Sequence, residues 1–305
     1  MFRSPMDMTD VTVKGTVLKK PYLNYLDKFY EFPVRDGDVW ICGIPKSGTT
    51  WAQEMVWMIM NNLDTEGAKA DIHSRVPFVE KTWLTPVNEE LPEYVRDSMG
   101  FIKKEYEKGP VCLKTHLPWV LLPRDIQENL KKPKIIYVLR DPKDAMLSLY
   151  HFIKILTGFK ETMEEFCEGY MQNKQCYLPY WSHVLGFWNQ RNKPNVLILR
   201  YEEMIKDLSG IVRKVSHFLE RPISDDEVEK LVGHLSFNSM KKNRAVNNED
   251  LIEKARKAQG LEKTETNHMR QGKTGGHKTE MTPELIQKLD KWIEDNTRDT
   301  DFVVW

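Results

Sequence analysis

The stretch that most constrains the fold is a polar turn set between an apolar strand and an apolar helix. Residues 38–42 read as a buried strand, and residues 51–60 read as a mostly apolar helix. The turn between them supplies a lysine, a glycine and three hydroxyl side chains, namely Lys46, Ser47, Gly48, Thr49 and Thr50. The first N–H groups of a helix have no partner inside it and bind phosphate oxygens, and the lysine and hydroxyls add donors. We therefore expect an anion site here, with an ordinary polar turn as the alternative.

Composition limits the partners and the compartment. The 305 residues carry a formal net charge of zero, so the overall charge favours neither nucleic acid nor an acidic membrane surface. No apolar run reaches the roughly 18–20 residues that span a bilayer. The N-terminus has no apolar core of signal-peptide length, which predicts a cytoplasmic protein. Cys42 and Cys112 lie in predicted buried strands, and no cysteine pair has metal-ligand spacing, so we expect reduced core thiols.

Predicted strands alternate with predicted helices along the chain. The strands cover residues 38–42, 111–116, 134–140 and 195–201. Helices are expected over residues 145–155, 202–219, 225–234 and from 282 onward. Because no hairpin turn signal separates the strands, the pattern predicts one α/β domain over residues 1–305. Its central sheet is expected to be mainly parallel and flanked by helices.

Two segments stand apart from this alternation. Residues 1–37 read as an N-terminal extension with approach loops. Residues 241–280 are polar and rich in glycine, lysine and arginine. A solvated loop is one interpretation of this second segment, and a basic lid over an anionic ligand is the other.

Polar side chains follow the carboxyl end of each predicted strand. They are Lys46 to Thr50 after the first strand, Lys114 and His116 at the second, Arg140 at the third with Ser148 in the next helix, and Tyr201 at the fourth. Ligands of open parallel sheets bind beyond these ends. Side chains alternate between the faces of a strand, so Lys114 and His116 should point the same way. We expect the four ends to form one site.

The chemistry of this set favours metal-free transfer of a singly charged group. It offers cations, hydroxyls and one histidine, but no paired aspartates that would hold the Mg²⁺ of a kinase. Its lysine also precedes the glycine, unlike in the Walker A pattern. Side-chain cations can offset the single charge of a sulfuryl group, and Lys114 should lower the pKa of His116 so that it suits a general base. A metal-dependent small-molecule kinase and a nucleotide-binding protein without turnover remain alternatives.

Five motifs, in this order and spacing, resemble those of the cytosolic sulfotransferases. They are residues 45–51 (PKSGTTW), 114–118 (KTHLP), 137–144 (YVLRDPKD) followed by Ser148, 201–204 (YEEM) and 269–272 (MRQG). The resemblance runs from about residue 22 to the C-terminus. It implies the donor 3′-phosphoadenosine 5′-phosphosulfate (PAPS), the product 3′-phosphoadenosine 5′-phosphate (PAP) and no metal. It also implies a small apolar acceptor, such as a phenol or alcohol, that presents a hydroxyl or an amine.

The resemblance also implies a role for each matching residue. The catalytic residues would be His116 as the base, Lys46 on the leaving phosphate, Lys114 on the sulfuryl group, and Ser148. The nucleotide would be bound by Lys46, Ser47, Gly48, Thr49, Thr50, Trp51, Arg140, Ser148, Tyr201, Leu235, Ser236, Phe237, Met240, Arg270, Gln271 and Gly272. Phe78 and Phe152, with Lys114 and His116, would line the acceptor pocket.

The chain departs from the family pattern at three places. Gln271 stands where the family has a lysine, which removes one cation near the 3′-phosphate, and Leu235 stands where threonine or serine is common. The family's dimer motif is altered at Pro283 and Gln287, so we expect a monomer, or a dimer through another surface. Some details look like those of insect members, among which a retinol-dehydratase-like enzyme, which sulfonates and then eliminates, is a further alternative.

Overall fold

The computed structural model describes residues 8–85, 91–258, 260–262 and 269–304. The strands, in chain order, are β1 (Asp10–Val13), β2 (Thr16–Lys19), β3 (Val39–Cys42), β4 (Cys112–Thr115), β5 (Lys134–Leu139) and β6 (Val196–Arg200). The α-helices are α1 (Leu26–Tyr30), α2 (Thr49–Met60), α3 (Ile72–Arg75), α4 (Lys81–Leu84), α5 (Glu93–Arg96), α6 (Ser98–Tyr106), α7 (Arg124–Gln127), α8 (Pro142–Thr157), α9 (Met163–Met171), α10 (Tyr180–Trp188), α11 (Tyr201–Lys206), α12 (Leu208–Phe218), α13 (Asp225–His234), α14 (Phe237–Lys242), α15 (Glu249–Ala258), α16 (His277–Glu280) and α17 (Pro283–Thr297).

The chain falls into two compact units, each assembled from three stretches. The first unit comprises the described parts of Met1–Ile44, His73–Val138 and Asn173–Ile198. The second unit comprises the described parts of Pro45–Ile72, Leu139–Gln172 and Leu199–Trp305. That residues 1–305 act as one domain stays a prediction.

A four-stranded sheet with the order β4-β3-β5-β6 is the core element of the first unit. Strand β3 pairs in parallel with both neighbours, Ile41 facing Lys114 on one side and Ile136 on the other. All four residues of β3 are buried, as expected for a strand covered on both faces. The predicted parallel α/β sheet is therefore confirmed, with strands one or two residues shorter than predicted.

The N-terminal segment contains a hairpin that the sequence reading did not predict. Strands β1 and β2 are antiparallel, and Val13 faces Thr16 across the turn. The turn residues Lys14 and Gly15 both have positive φ, 46° and 78°. A two-residue hairpin turn needs this backbone shape, which Asn-Gly or Asp-Gly usually signals. Because a lysine stands in the first position of this turn, the usual Asn-Gly or Asp-Gly signal is missing from the sequence.

Helices of the second unit follow the predicted positions with two differences. The helix predicted over 202–219 is broken at Asp207, which has φ −146° and ψ 76° and caps α12 by accepting the N–H of Gly210 at 2.8 Å. The predicted loop or lid over 241–280 contains the helices α15 and α16. Residues 259 and 263–268 of that prediction lie outside the described residues.

The last helix begins as predicted. Thr282 caps α17 by accepting the N–H of Leu285 at 3.2 Å, and Pro283 is the first helical residue. The side chain of Thr282 therefore has a structural role within the chain. The oligomeric state stays a prediction.

Candidate active site

The predicted anion turn leads from β3 into α2 with an unusual backbone. Lys46 has φ 72° and Gly48 has φ 105°, in the left-handed region that L side chains rarely adopt. A Cβ added at Gly48 would lie 2.7 Å from Cδ2 of Tyr201, so the position also lacks room for a side chain. Among the described residues, no side chain caps the N-terminus of α2. Its N-terminal backbone can therefore face an anion, and the anion site itself stays a prediction.

Arg140 fixes the backbone of this turn. Its Nη1 donates to the carbonyl oxygen of Lys46 at 3.1 Å, and its Nη2 donates to that of Lys273 at 3.4 Å. The guanidinium also lies 4.4 Å from the ring centroid of Tyr201. We call Lys46, Gly48, Arg140 and Tyr201 the donor cluster. Backbone carbonyls and an aromatic face orient the guanidinium but carry no formal charge.

Several residues predicted to bind the nucleotide lie together around this cluster. Trp51 Nε1 donates to the carbonyl oxygen of Leu235 at 2.9 Å, and its ring meets the edge of Tyr201 at 5.8 Å. The ring of Phe237 occupies the space beside Gly272, which has φ 61°. Trp51, Tyr201, Leu235, Phe237 and Gly272 are thus brought together within the second unit.

The remaining predicted nucleotide residues lie in the same unit with less direct ties to the turn. Ser236 caps α14 through the N–H of Ser239 at 3.3 Å, and Met240 is buried. Ser148 is half-buried on α8, and Lys46 Nζ lies 4.5 Å from the ring centroid of Phe152 on the same helix. The structure therefore puts Phe152 beside a donor-cluster lysine.

Glu280 binds the predicted lid residues and was missed by the sequence reading. Its carboxylate accepts from Arg270 and lies 2.6 Å from His151 Nε2, while Gln271 Nε2 is 3.5 Å away. Burial would raise the pKa of Glu280, but the hydrogen bonds from Arg270 and His151 hold it below its usual value. Arg270 thus has an internal anionic partner.

A buried pair anchors the segment that follows the lid motif. Asp144, in the first turn of α8, accepts the N–H of Gly275 at 2.6 Å and the N–H of His277 at 3.1 Å. The Nδ1 of His277 lies 2.7 Å from the same carboxylate. Burial would raise the pKa of Asp144, but these hydrogen bonds lower it to about 2. The sequence reading assigned no role to this pair.

In the first unit, His116 is held in one tautomer. It directly follows β4, is 8% exposed, and its Nδ1 is hydrogen-bonded to the carbonyl oxygen of Gly43. A carbonyl oxygen can only accept, so Nδ1 carries a proton, and a neutral ring would have its lone pair on Nε2. The ring meets the edges of Phe78 at 5.2 Å and Tyr177 at 5.6 Å. This is the form that a general base requires.

Lys114 is a buried cation beside the same phenylalanine. It is 8% exposed, and its Nζ lies 4.7 Å from the ring centroid of Phe78. Burial, followed by repulsion from Lys81, lowers the pKa of Lys114 to about 8 although Glu80 opposes the shift. Lys114 and His116 therefore share Phe78 as a neighbour, as expected for side chains on one face.

Two further buried residues hold the backbone of His116. Glu80 Oε1 accepts the N–H of His116 at 2.8 Å, and His183 Nε2 donates to its carbonyl oxygen at 3.0 Å. Burial raises the pKa of Glu80 to about 7 and lowers that of His183 to about 4, so His183 is neutral near pH 7. The hydroxyl of Tyr137 lies 3.0 Å from His183 Nδ1 and completes this series of hydrogen bonds.

We call Glu80, Lys114, His116 and His183 the base cluster. The sequence reading found Lys114 and His116 but missed Glu80 and His183. The available signals were a carboxylate inside an apolar stretch and a histidine inside an aromatic-rich helix.

No helix in the described part of the chain is long and apolar enough to cross a membrane. Across the same residues, no group of three or more His, Cys, Asp and Glu side chains could hold a metal ion. Cys42 and Cys112 are buried free thiols, as predicted.

Comparisons with known proteins agree with this geometry. A family model described as a sulfotransferase domain matches residues 36–301. Luciferin sulfotransferase from Photinus pyralis is 40% identical over 289 residues, which cover 92% of this chain and 77% of that protein. Sulfotransferase 1E1 from Homo sapiens is 34% identical over 291 residues, which cover 94% of this chain and 93% of that protein.

Solved structures point the same way. Retinol dehydratase in a complex with retinol and PAP aligns with a TM-score of 0.81 at 30% identity, over 96% of this chain and 90% of that one. The same enzyme in complex with androsterone and PAP gives a TM-score of 0.82 at 29% identity, over 97% of this chain and 92% of that one. The chain thus belongs to the sulfotransferase family and is an enzyme that transfers a sulfuryl group from PAPS.

Proposed function

We propose that the enzyme sulfonates the hydroxyl, or the amine, of a small apolar acceptor such as a phenol or alcohol, with His116 as the general base. The observation that carries this proposal is the hydrogen bond from His116 Nδ1 to the Gly43 carbonyl. With a proton on Nδ1, Nε2 is the atom of a neutral ring that can accept a proton. General base catalysis needs a group in this state near neutral pH.

The bound donor supplies the sulfuryl group, which passes from a phosphate oxygen to the acceptor oxygen. His116 Nε2 takes the hydroxyl proton from the acceptor. Lys114, with its pKa of about 8, is still charged at pH 7 and offsets negative charge on the sulfuryl oxygens. Lys46 offsets the charge that builds on the leaving phosphate oxygen.

Nucleotide binding is proposed for the residues of the second unit. The α2 N-terminus, with Ser47, Thr49 and Thr50, would hold the 5′-phosphosulfate. Arg140, Ser148 and the 270–272 segment would hold the 3′-phosphate. The donor-cluster arginine suits this role because backbone carbonyls hold it in a fixed orientation.

The acceptor class follows from aromatic neighbours of the proposed catalytic groups. Phe78 contacts both Lys114 and His116, and Tyr177 contacts His116. Phe152 lies against Lys46. Flat apolar walls with few hydrogen-bonding groups suit a planar apolar acceptor.

A second candidate activity is sulfonation followed by elimination of the sulfate. It is favoured by the alignment with retinol dehydratase, whose solved complex contains retinol. The two candidates differ in the product, which is a stable sulfate ester in one case and an alkene in the other.

The test is an acceptor screen with ³⁵S-labelled PAPS, in excess EDTA and with added Mg²⁺. The panel contains phenols, aliphatic alcohols, amines and an allylic alcohol. We expect labelled sulfate esters of phenols or alcohols in both conditions. An alkene with free labelled sulfate would favour elimination, and PAP binding without turnover of any acceptor would contradict the proposal.

A further inference from the structure

A cavity lies at the C-terminal end of α8 within the second unit. It has a volume of about 610 Å³ and is lined by His151, Lys154, Ile155, Phe159, Lys160 and Arg256, with Gly158 between them. We call it the basic pocket. Three of its lining residues are permanent cations at neutral pH, and two are large and apolar. Such a lining suits a ligand with an apolar body and an anionic end.

The basic pocket continues along α8 from the predicted acceptor wall. Phe152 lies 4.5 Å from Lys46 Nζ, and Ile155 follows three residues later on the same face of the helix. At a rise of about 1.5 Å per residue, Ile155 lies roughly 4.5 Å farther along the axis. Phe159 comes just after the helix ends at Thr157. A ligand that extends from Phe152 along α8 would meet Ile155 next and then the segment that carries Phe159.

The guanidinium of Arg256 is fixed in place without losing its charge. Its Nε and Nη2 donate to the carbonyl oxygen of Glu262 at 2.9 and 2.6 Å, and its Nη1 donates to that of Ile155. Backbone carbonyls orient an arginine but carry no formal charge to cancel its own. Arg256 is therefore a preorganised cation at the pocket wall.

The two lysines add further positive charge to the pocket. Lys154 Nζ lies 3.4 Å from the hydroxyl of Tyr150 and 5.5 Å from its ring centroid. In the described part of the chain, no carboxylate lies within 4.0 Å of Lys154, Lys160 or Arg256. Among these described residues the positive charges therefore have no carboxylate at close range, which favours an anionic ligand group.

His151 contributes a hydrogen-bonding group and no fixed charge. Burial lowers its pKa, although Glu280 at 2.6 Å acts in the opposite direction. The cationic character of the pocket therefore rests on the two lysines and Arg256. A planar carboxylate matches the paired N–H donors of a guanidinium.

We propose that the acceptor carries a carboxylate that binds in the basic pocket, at the end remote from the hydroxyl that receives the sulfuryl group. The inference rests on the proposed function, because it assigns the pocket to the same acceptor. It narrows the acceptor class from apolar phenols and alcohols to aromatic hydroxy acids about two rings long.

The test compares 4′-hydroxybiphenyl-4-carboxylate with its methyl ester, which has the same phenol and no charge. We expect kcat/KM for the acid to exceed that for the ester by about tenfold or more at low salt, since the two lysines and the arginine of the basic pocket recognise the charge. The preference should shrink in about 0.5 M NaCl, where screening is strong. Equal kcat/KM values for acid and ester would overturn the inference and leave the proposed function standing.

Substitutions of the pocket lysines test whether the preference for the acid arises in the basic pocket. The double substitution Lys154→Met with Lys160→Met should lower the acid-to-ester ratio of kcat/KM by about tenfold. The matched control is Lys214→Met with Lys230→Met, two exposed lysines on α12 and α13. A ratio that falls equally in both double variants, or in neither, would overturn the assignment to this pocket. No turnover of either acceptor would contradict the proposed function itself.

Discussion

The donor cluster and the base cluster are built by different physical means. In the base cluster, Glu80 is 0% exposed, and burial is the largest cause of the pKa shifts of Glu80, Lys114 and His183. In the donor cluster, cations are held by backbone carbonyls and aromatic rings, and two residues have left-handed backbone. The base cluster thus tunes protonation, whereas the donor cluster presents charge. The difference matches a proton acceptor in one place and an anion site in the other.

Replacing His116 with alanine should give the largest effect, and it should affect turnover but not nucleotide binding. We expect kcat to fall by about 100- to 10,000-fold, because the acceptor hydroxyl loses its base. The affinity for PAP, measured by calorimetry, should stay within about twofold, since the proposed base does not bind nucleotide. Turnover near the wild-type rate, or a large loss of PAP affinity, would contradict the separation of roles.

The substitution Glu80→Gln tests whether burial raises the pKa of Glu80 in the base cluster. Folding raises the pKa of Glu80 from 4.5 to about 7, so the wild-type protein loses stability as pH rises through that window. The glutamine variant has no proton to lose there. Its free energy of unfolding relative to wild type should therefore increase by about 2–3 kcal/mol between pH 5 and pH 8.

Urea unfolding at several pH values measures this change. The series stops at pH 8, because the pKa of Lys114 is lowered to about 8 and its titration adds to the curve above that pH. The matched control is Glu128→Gln at an exposed position, which should track the wild-type curve. Parallel curves for Glu80→Gln and wild type would mean that Glu80 is ionised throughout.

Arg140→Lys should test the donor cluster. The lysine keeps a charge but lacks the fork that donates to the carbonyls of Lys46 and Lys273. We expect PAP to bind about 10- to 100-fold more weakly, with kcat at saturating donor little changed. Arg200→Lys is the matched control, because Arg200 also donates to a carbonyl, that of Val303, and faces an aromatic ring. Equal losses in both variants would remove the special role of Arg140.

Gly48→Ala, compared with Gly15→Ala, should give the smallest effect. Both glycines have positive φ, 105° and 78°, so both substitutions pay a backbone cost. Only the Gly48 methyl group meets another side chain, at 2.7 Å from Tyr201 Cδ2, whereas nothing lies within 4 Å at Gly15. The extra cost at Gly48 should be roughly 1–2 kcal/mol of unfolding free energy. Equal costs by thermal unfolding would show that Tyr201 moves aside freely.

A contiguous motif explains why the turn of the donor cluster was predictable from sequence. The turn between β3 and α2 carries its lysine, glycine and hydroxyls within five residues, and apolar runs mark the strand before it and the helix after it. The alternation of Lys114 and His116 at a strand end was also readable from spacing alone. These features are local, so the sequence displays them directly.

The supports of the base cluster were not predictable because they come from distant segments. Glu80 is 36 residues and His183 is 67 residues from His116 in the chain. The pair Asp144 and His277 is separated by 133 residues. Nothing in local composition says which buried polar residues will meet, since tertiary packing decides it.

Arg270 and His151 share the single carboxylate of Glu280. A phosphate that draws Arg270 away would leave Glu280 to His151 alone, and the imidazole would then bind a proton more readily. By thermodynamic linkage, protonation of His151 would in turn favour the phosphate-bound state. Where Arg270 binds the nucleotide phosphate, as we propose, one shared acid makes nucleotide occupancy and the charge of the basic pocket interdependent quantities.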